Sequence, residues 1–180
     1  MDREVYRLIF SGSGGQGVIT AAIITAEAAA LYNNLYAIQT QSYGPEARGS
    51  ATRSDVIISS SEIYYPKVIN PHILVCLTQE AYTKFSGSII AGGIIIYDPY
   101  FVNPAHSSDA IQKPFPMYDS IVDELKAPIT LNICMLGVFT ESTKIISEEA
   151  MLKVIEKRVP PKFLDLNKKA FALGVKLAKK

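Results

Sequence analysis

Val5-Tyr6-Arg7-Leu8-Ile9-Phe10 runs through Ser11 into Gly12-Ser13-Gly14-Gly15-Gln16-Gly17, and this glycine cluster opens onto the Ala- and Ile-rich segment Val18 to Tyr32. A β-branched and aromatic run of six residues that stops at glycines reads as a buried strand. The long segment after it carries one charge, Glu27, so it reads as a helix buried over much of its circumference. Gly12 to Gly17 is then a strand-to-helix turn. Asn33-Asn34 ends the helix and Leu35-Tyr36-Ala37-Ile38 starts a second strand, which together give the opening of a βαβ unit.

Outward from that unit the pattern stays α/β. Strands are expected over 51–59, 73–77 and 94–97, the last a continuous apolar run of the kind buried inside a parallel sheet. Glu62-Ile63-Tyr64-Tyr65 is expected to form a hairpin with the 51–59 strand as an antiparallel element. Gln79 to Phe85 reads as a short helix. A short strand is placed around 115–117, with a helix capped by Asp119 after it. Helices are expected at 132–140, 147–158 and 161–180, Ser147-Glu148-Glu149-Ala150 capping the second. The fold class is therefore α/β, a three-layer α/β/α arrangement around a mostly parallel Rossmann-like sheet, as one domain over residues 1–180.

Composition bounds the function. The chain has 180 residues with 18 Lys+Arg against 17 Asp+Glu, a net charge of +1 that offers no surplus for neutralising nucleic-acid phosphates. No apolar run reaches the roughly 18 residues of a membrane span, and the charged start reads as a cytoplasmic protein with no signal peptide. Charged residues make up 19% of the chain, below the usual share of about 25%, so apolar surface is left for a partner to cover. The two cysteines, Cys76 and Cys134, both sit in apolar runs and read as buried thiols. Two cysteines and two histidines also fall short of an iron–sulfur or structural zinc ligand set.

Two stretches can carry chemistry. Gly12, Ser13, Gly14, Gly15, Gln16 and Gly17 match G-x-G-x-x-G directly after a strand, where backbone N–H groups at a helix start can meet a phosphate or carboxylate. The alternative is a tight turn packed against a neighbouring subunit. An NAD site wants an acid about 20 residues on, and here Gln39 and Gln41 occupy that region. The second stretch, Gln41-Ser42-Tyr43-Gly44-Pro45-Glu46-Ala47-Arg48-Gly49-Ser50, reads as a loop at the carboxyl end of the second strand and should lie beside the glycine turn. Arg48 can pair with a carboxylate or phosphate, Glu46 can orient it, and Tyr43 and Ser42 supply hydroxyls. A Glu46–Arg48 pair that only stiffens the loop is the plainer reading. His72, His106, Asp98, Asp123 and Glu124 show no catalytic pattern, and Asp98 reads as a turn or cap.

The pairing of these two motifs resembles the gamma subunit of the 2-oxoacid:ferredoxin oxidoreductases. The likeness continues through Arg53 to Ser59, Tyr65 to Val68 and Leu77 to Tyr82, and the Ser-Tyr-Gly-Pro-Glu form is most similar to the 2-oxoglutarate branch, with pyruvate and ketoisovalerate relatives behind it. The resemblance implies an accessory subunit, inert alone, of an enzyme that converts a 2-oxoacid, coenzyme A and oxidised ferredoxin into an acyl-CoA, carbon dioxide and reduced ferredoxin. It implies alpha, beta and delta subunits as partners, ferredoxin met through the complex, and thiamine diphosphate, Mg2+, [4Fe–4S] clusters and coenzyme A held in the complex rather than by this chain alone. Gly-Asp-Gly, the start of the thiamine fingerprint, does not occur in the sequence. Ser50 stands where many relatives carry glycine. The competing expectation is a stand-alone Rossmann-type nucleotide-binding protein or dehydrogenase.

Overall fold

The computed structural model describes residues 4–42, 51–104 and 109–179. Six strands form one sheet: β1 (Val5–Gly12), β2 (Tyr36–Ser42), β3 (Thr52–Ser59), β4 (Ile73–Cys76), β5 (Ile94–Tyr97) and β6 (Ile111–Pro114). Their order across the sheet is β2-β3-β1-β4-β5-β6. Pairings of β1 with β4, β4 with β5 and β5 with β6 are parallel, whereas β3 pairs antiparallel with both β1 and β2. Five strands thus point one way and β3 alone points the other.

The antiparallel element exists, but it is β3 itself, inserted between β1 and β2, and the expected hairpin partner Glu62–Tyr65 forms no strand. The expected helices 132–140 and 161–180 run instead over Leu131–Thr143 and Leu164–Ala178, and three further boundaries differ. β2 runs on through Gln39, Thr40, Gln41 and Ser42, polar residues that ladder with β3 down to the Ser42–Arg53 pair. β6 falls at Ile111–Pro114, before Phe115. Its neighbouring helix begins at Met117, so Asp119 lies in the first turn and does not cap it.

Alternation along the strands sorts side chains to two buried faces. Leu8, Phe10, Val56, Ile58, Ile73, Val75, Ile94 and Ile96 face one cluster, and Ile9, Ile57, Leu74, Cys76, Ile95 and Tyr97 face the other. The first face is covered by α1 (Val18–Tyr32), α3 (Met117–Glu124), α4 (Leu131–Thr143), α5 (Glu148–Arg158) and α6 (Leu164–Ala178). The second is covered by α2 (Gln79–Phe85), through Ala81, Tyr82 and Phe85, together with irregular segments that contribute Val68 and Val102. Ser147 caps α5 by accepting the Ala150 N–H at 3.2 Å, as its sequence predicts.

The unbroken burial of Leu131 and Ile133 to Thr140 places α4 between the sheet and the outer helices. Phe139 meets Phe10 edge to face, ring centroids 5.5 Å apart. On its other side α4 crosses α6 with backbones touching: a Cβ on Gly174 would collide with the Cys134 carbonyl oxygen, and one on Gly137 with that of Phe171. Gly174→Ala is expected to destabilise the chain by roughly 1–3 kcal/mol through that overpacking. Chemical denaturation checks it, and an unchanged midpoint would contradict the packing.

The outer helices are also held by charge. Arg158 of α5 makes a two-pronged ion pair with Glu27 of α1, and the last helix pairs Lys168 with Glu156 and Lys176 with Glu124. Hydrogen bonding from Arg158, with its charge and that of Lys157 adding, holds the Glu27 carboxyl below the ordinary glutamate value against the opposing effect of burial. A depressed folded value stabilises above the unfolded value of about 4.3 and is lost as pH falls through the folded one. Both side chains are more than a third exposed, so screening limits the effect to at most about 1 kcal/mol. Glu27→Gln should lower the melting temperature slightly at pH 7, with the gap from the parent closing on acidification below about pH 4. A gap that widened there would contradict the assignment.

Candidate functional site

β1, β2, β4 and β5 point the same way, so their carboxyl ends share one edge of the sheet. In an open α/β sheet ligands and partners gather at that edge, at the point where the chain turns from one side to the other. Here the switch lies between β1, whose chain leaves through α1 toward β2, and β4 on its other flank. The glycine turn sits on the switch.

Gln16 organises the turn. Its carboxamide oxygen accepts the Ser13 N–H at 2.7 Å and its amide donates to the Leu77 carbonyl at 3.1 Å, so one side chain spans the crevice between β1 and β4. Leu77 N–H in turn donates to the Ser11 carbonyl at 3.0 Å. A Cβ on Gly12 would lie 2.5 Å from the Gln16 oxygen and 3.0 Å from Val18 Cγ1, so a side chain there would displace the Gln16 carboxamide from its bridge. Gly17 precedes α1 with φ 73°, and a Cβ there would stand 2.5 Å from the Asn132 amide nitrogen. Ser13, Gly14 and Gly15 are exposed, and a Cβ on Gly14 or Gly15 would meet nothing. The turn is thus closed toward the sheet and open toward solvent.

This geometry weighs against a dinucleotide. The Ser13 N–H and the Leu77 carbonyl, which border the crevice a pyrophosphate would enter, are already joined through Gln16. Gln39, which stands near the place of the ribose-binding acid, donates to the Ser54 hydroxyl at 2.7 Å within the sheet.

Of the second motif, Gln41 and Ser42 are the last residues of β2 rather than loop. Tyr43, Gly44, Pro45, Glu46, Ala47, Arg48, Gly49 and Ser50 lie outside the described residues, as does His106. The two ends of that stretch are nevertheless placed. Gly12 stands opposite Thr52, and Ser42 opposite Arg53, so the chain leaves β2 and enters β3 at the edge that carries the glycine turn. The Ser11 hydroxyl donates to the Thr52 carbonyl at 2.8 Å. Arg53 is held in a bidentate pair with Asp55, 2.6 and 2.8 Å, and lies over the Phe85 ring.

Asp98 does what the sequence reads for it, a turn and a cap, while the aromatic cluster beside it and the hollow next to Gly17 carry no sequence pattern. Asp98 follows β5 fully buried, and its carboxylate accepts the Tyr100 N–H at 2.9 Å and the Tyr118 N–H at 2.7 Å, so it caps α3 from 20 residues away. Burial raises its pKa against those bonds. Tyr100, Phe101 and Tyr118 cluster beside it, with Tyr100 and Tyr118 centroids 4.4 Å apart. A hollow of about 290 Å³ begins at Asn132, next to Gly17, and is lined by Ile133, Val159 and Phe163 and by Ile129, which is 89% exposed. His72 is structural: it is buried and its Nδ1 accepts the Arg7 N–H at 3.0 Å.

The thiols do not fit a cluster ligand set. Cys76 and Cys134 are free, buried, and on opposite faces of the sheet. Burial raises the Cys76 pKa and pushes that of Cys134 up to about 12, with Asp98 and Glu124 adding, so both remain protonated.

A family model described as pyruvate ferredoxin/flavodoxin oxidoreductase matches residues 7–177. The 2-oxoglutarate synthase subunit KorC of Methanocaldococcus jannaschii is 46% identical over 171 residues, covering 94% of this chain and 91% of that one. The gamma subunit of a keto/oxoacid ferredoxin oxidoreductase from Geobacter sulfurreducens superposes with a TM-score of 0.88 at 38% identity, covering 97% of this chain and 98% of that one. The ketoisovalerate oxidoreductase subunit VorA of Methanothermobacter marburgensis is 29% identical across 99% of this chain, which corresponds to 37% of its own length.

Gln16→Ala should leave the fold intact but cost about 1–2 kcal/mol, since two hydrogen bonds across the switch are lost. Gln16→Glu, which keeps one acceptor but sets a carboxylate oxygen against the Leu77 carbonyl, should cost at least as much. Equal stability of all three chains in urea would contradict the bridge.

Proposed function

The chain belongs to the pyruvate ferredoxin/flavodoxin oxidoreductase family, and from that premise we infer that it serves as the gamma-type subunit of a multi-subunit 2-oxoacid:ferredoxin oxidoreductase with 2-oxoglutarate as the oxoacid. The single observation that carries the reading is the near full-length identity to the KorC subunit of a 2-oxoglutarate synthase. Residues 1–180 act as one gamma-type domain. The reaction takes 2-oxoglutarate, coenzyme A and oxidised ferredoxin to succinyl-CoA, carbon dioxide and reduced ferredoxin.

Within it this chain supplies surface and position. Thiamine diphosphate with Mg2+, the iron–sulfur clusters and the ferredoxin contact belong to alpha, beta and delta partners, which supply decarboxylation and electron transfer. Two buried, protonated thiols on opposite faces give this chain no ligand set for that chemistry. Its working surface is the carboxyl edge, where the outward side of Ser13, Gly14 and Gly15 and the stretch Gln41–Ser50 approach the catalytic subunits and coenzyme A. The apolar hollow around Ile129 continues that surface from Asn132 and suits a subunit contact. No helix among the described residues is long and apolar enough to cross a membrane.

Reconstitution tests the reading. Ferredoxin reduction driven by 2-oxoglutarate and coenzyme A should require this chain together with its partners and be absent from the chain alone. Arg48→Ala should lower kcat/KM on the order of tenfold or more through loss of a cation able to pair with a carboxylate or phosphate. Full activity of a complex lacking the chain, or tight NAD(H) binding by the chain in calorimetry, would contradict it.

A further inference from the structure

The glycine turn and the residue that leads into β3 belong to different strands, yet both are bonded to the segment that opens α2. Gln16 reaches it through the Leu77 carbonyl, one residue before Thr78, whose hydroxyl caps α2 by accepting the Ala81 N–H at 3.2 Å. The next residue, Gln79, accepts the Asn103 N–H at 2.8 Å and so holds the chain that follows β5. Glu80 accepts the Ala51 N–H at 3.0 Å, and Ala51 is the first residue described after residues 43–50. Three segments of the carboxyl edge therefore converge on four consecutive positions, Leu77 to Glu80.

Ala51 stands just outside the ladder. Thr52 is opposite Gly12 and is further held by Ser11, so the strand is fixed from that residue onward. One position earlier, the Glu80 carboxylate reaches across from another element. An acid in the first turn of a helix also favours the helix dipole, but that effect needs only negative charge and would not single out the Ala51 amide.

We propose that Glu80 is a positioning residue for the reaction. Its carboxylate fixes where the chain re-enters the sheet after residues 43–50, relative to the glycine turn. It acts on substrate or coenzyme A binding only through that placement. The assignment rests on the reading of the two motifs as the working surface of an oxidoreductase subunit.

The test compares Glu80→Ala with Glu80→Gln in the assembled complex; the amide keeps the acceptor oxygen and removes the charge. Two readouts are taken: hydrogen–deuterium exchange of peptides carrying the Ala51 amide, and KM and kcat for 2-oxoglutarate and coenzyme A. Glu80→Ala should speed Ala51 exchange about tenfold and raise at least one KM about fivefold with kcat within about twofold, while Glu80→Gln stays close to the parent in both. Unchanged Ala51 exchange in Glu80→Ala overturns the proposal, as does unchanged KM where exchange responds, or Glu80→Gln behaving like Glu80→Ala. A parent complex without 2-oxoglutarate turnover contradicts the functional reading instead, and the exchange comparison still decides the role of Glu80.

Discussion

The antiparallel seating of β3 between β1 and β2 is the constraint on which the layout of the carboxyl edge depends. In a plain doubly wound sheet a crossover helix would carry the chain from β2 to the next parallel strand and return it at the opposite edge. Here β3 reverses at once, so Ser42 and Thr52 stay at the carboxyl edge, opposite Arg53 and Gly12. The glycine turn and the two chain ends that flank residues 43–50 are thereby brought to one edge, through a register of eight paired residues between β1 and β3.

The two faces of that sheet are built differently. On one side α4 is sunk beneath α6 at a glycine-to-backbone crossing, a thick apolar layer that holds Phe10 and the centre of β1. On the other a single short helix, α2, covers the sheet. That asymmetry gives the helical layer the task of stability and leaves the first turn of α2 to tie together the ends of β1, β3 and β5.

Much of this was legible in the sequence, and the failures have physical causes. β1, α1, β4, α2 and β5 announce themselves because period and glycine punctuation agree. Strand direction is not written in alternation, which is the same for either orientation, so the antiparallel element reads as a hairpin of Glu62–Tyr65 with the 51–59 strand. Gln39 to Ser42 look like loop since their polar side chains, such as Gln39 with Ser54, find partners only across the sheet. Asp119 reads as the cap of α3, whereas the cap is Asp98, a residue legible as a turn or cap but joined to α3 only by a tertiary contact. The glycine turn was identified by pattern, but the closure by Gln16 needs Leu77, 61 residues away. The short range of sequence rules hides that bridge.

If the chain presents the carboxyl edge of its sheet to larger subunits, assembly must shield that edge from solvent. Hydrogen–deuterium exchange of the chain alone against the chain in its native complex tests it most directly. Assembly is expected to slow exchange in peptides spanning 12–17 and 41–52 and to leave the outward faces of α5 and α6 unchanged. Slowing confined to α5 and α6, with both motifs exchanging as in the free chain, would contradict it.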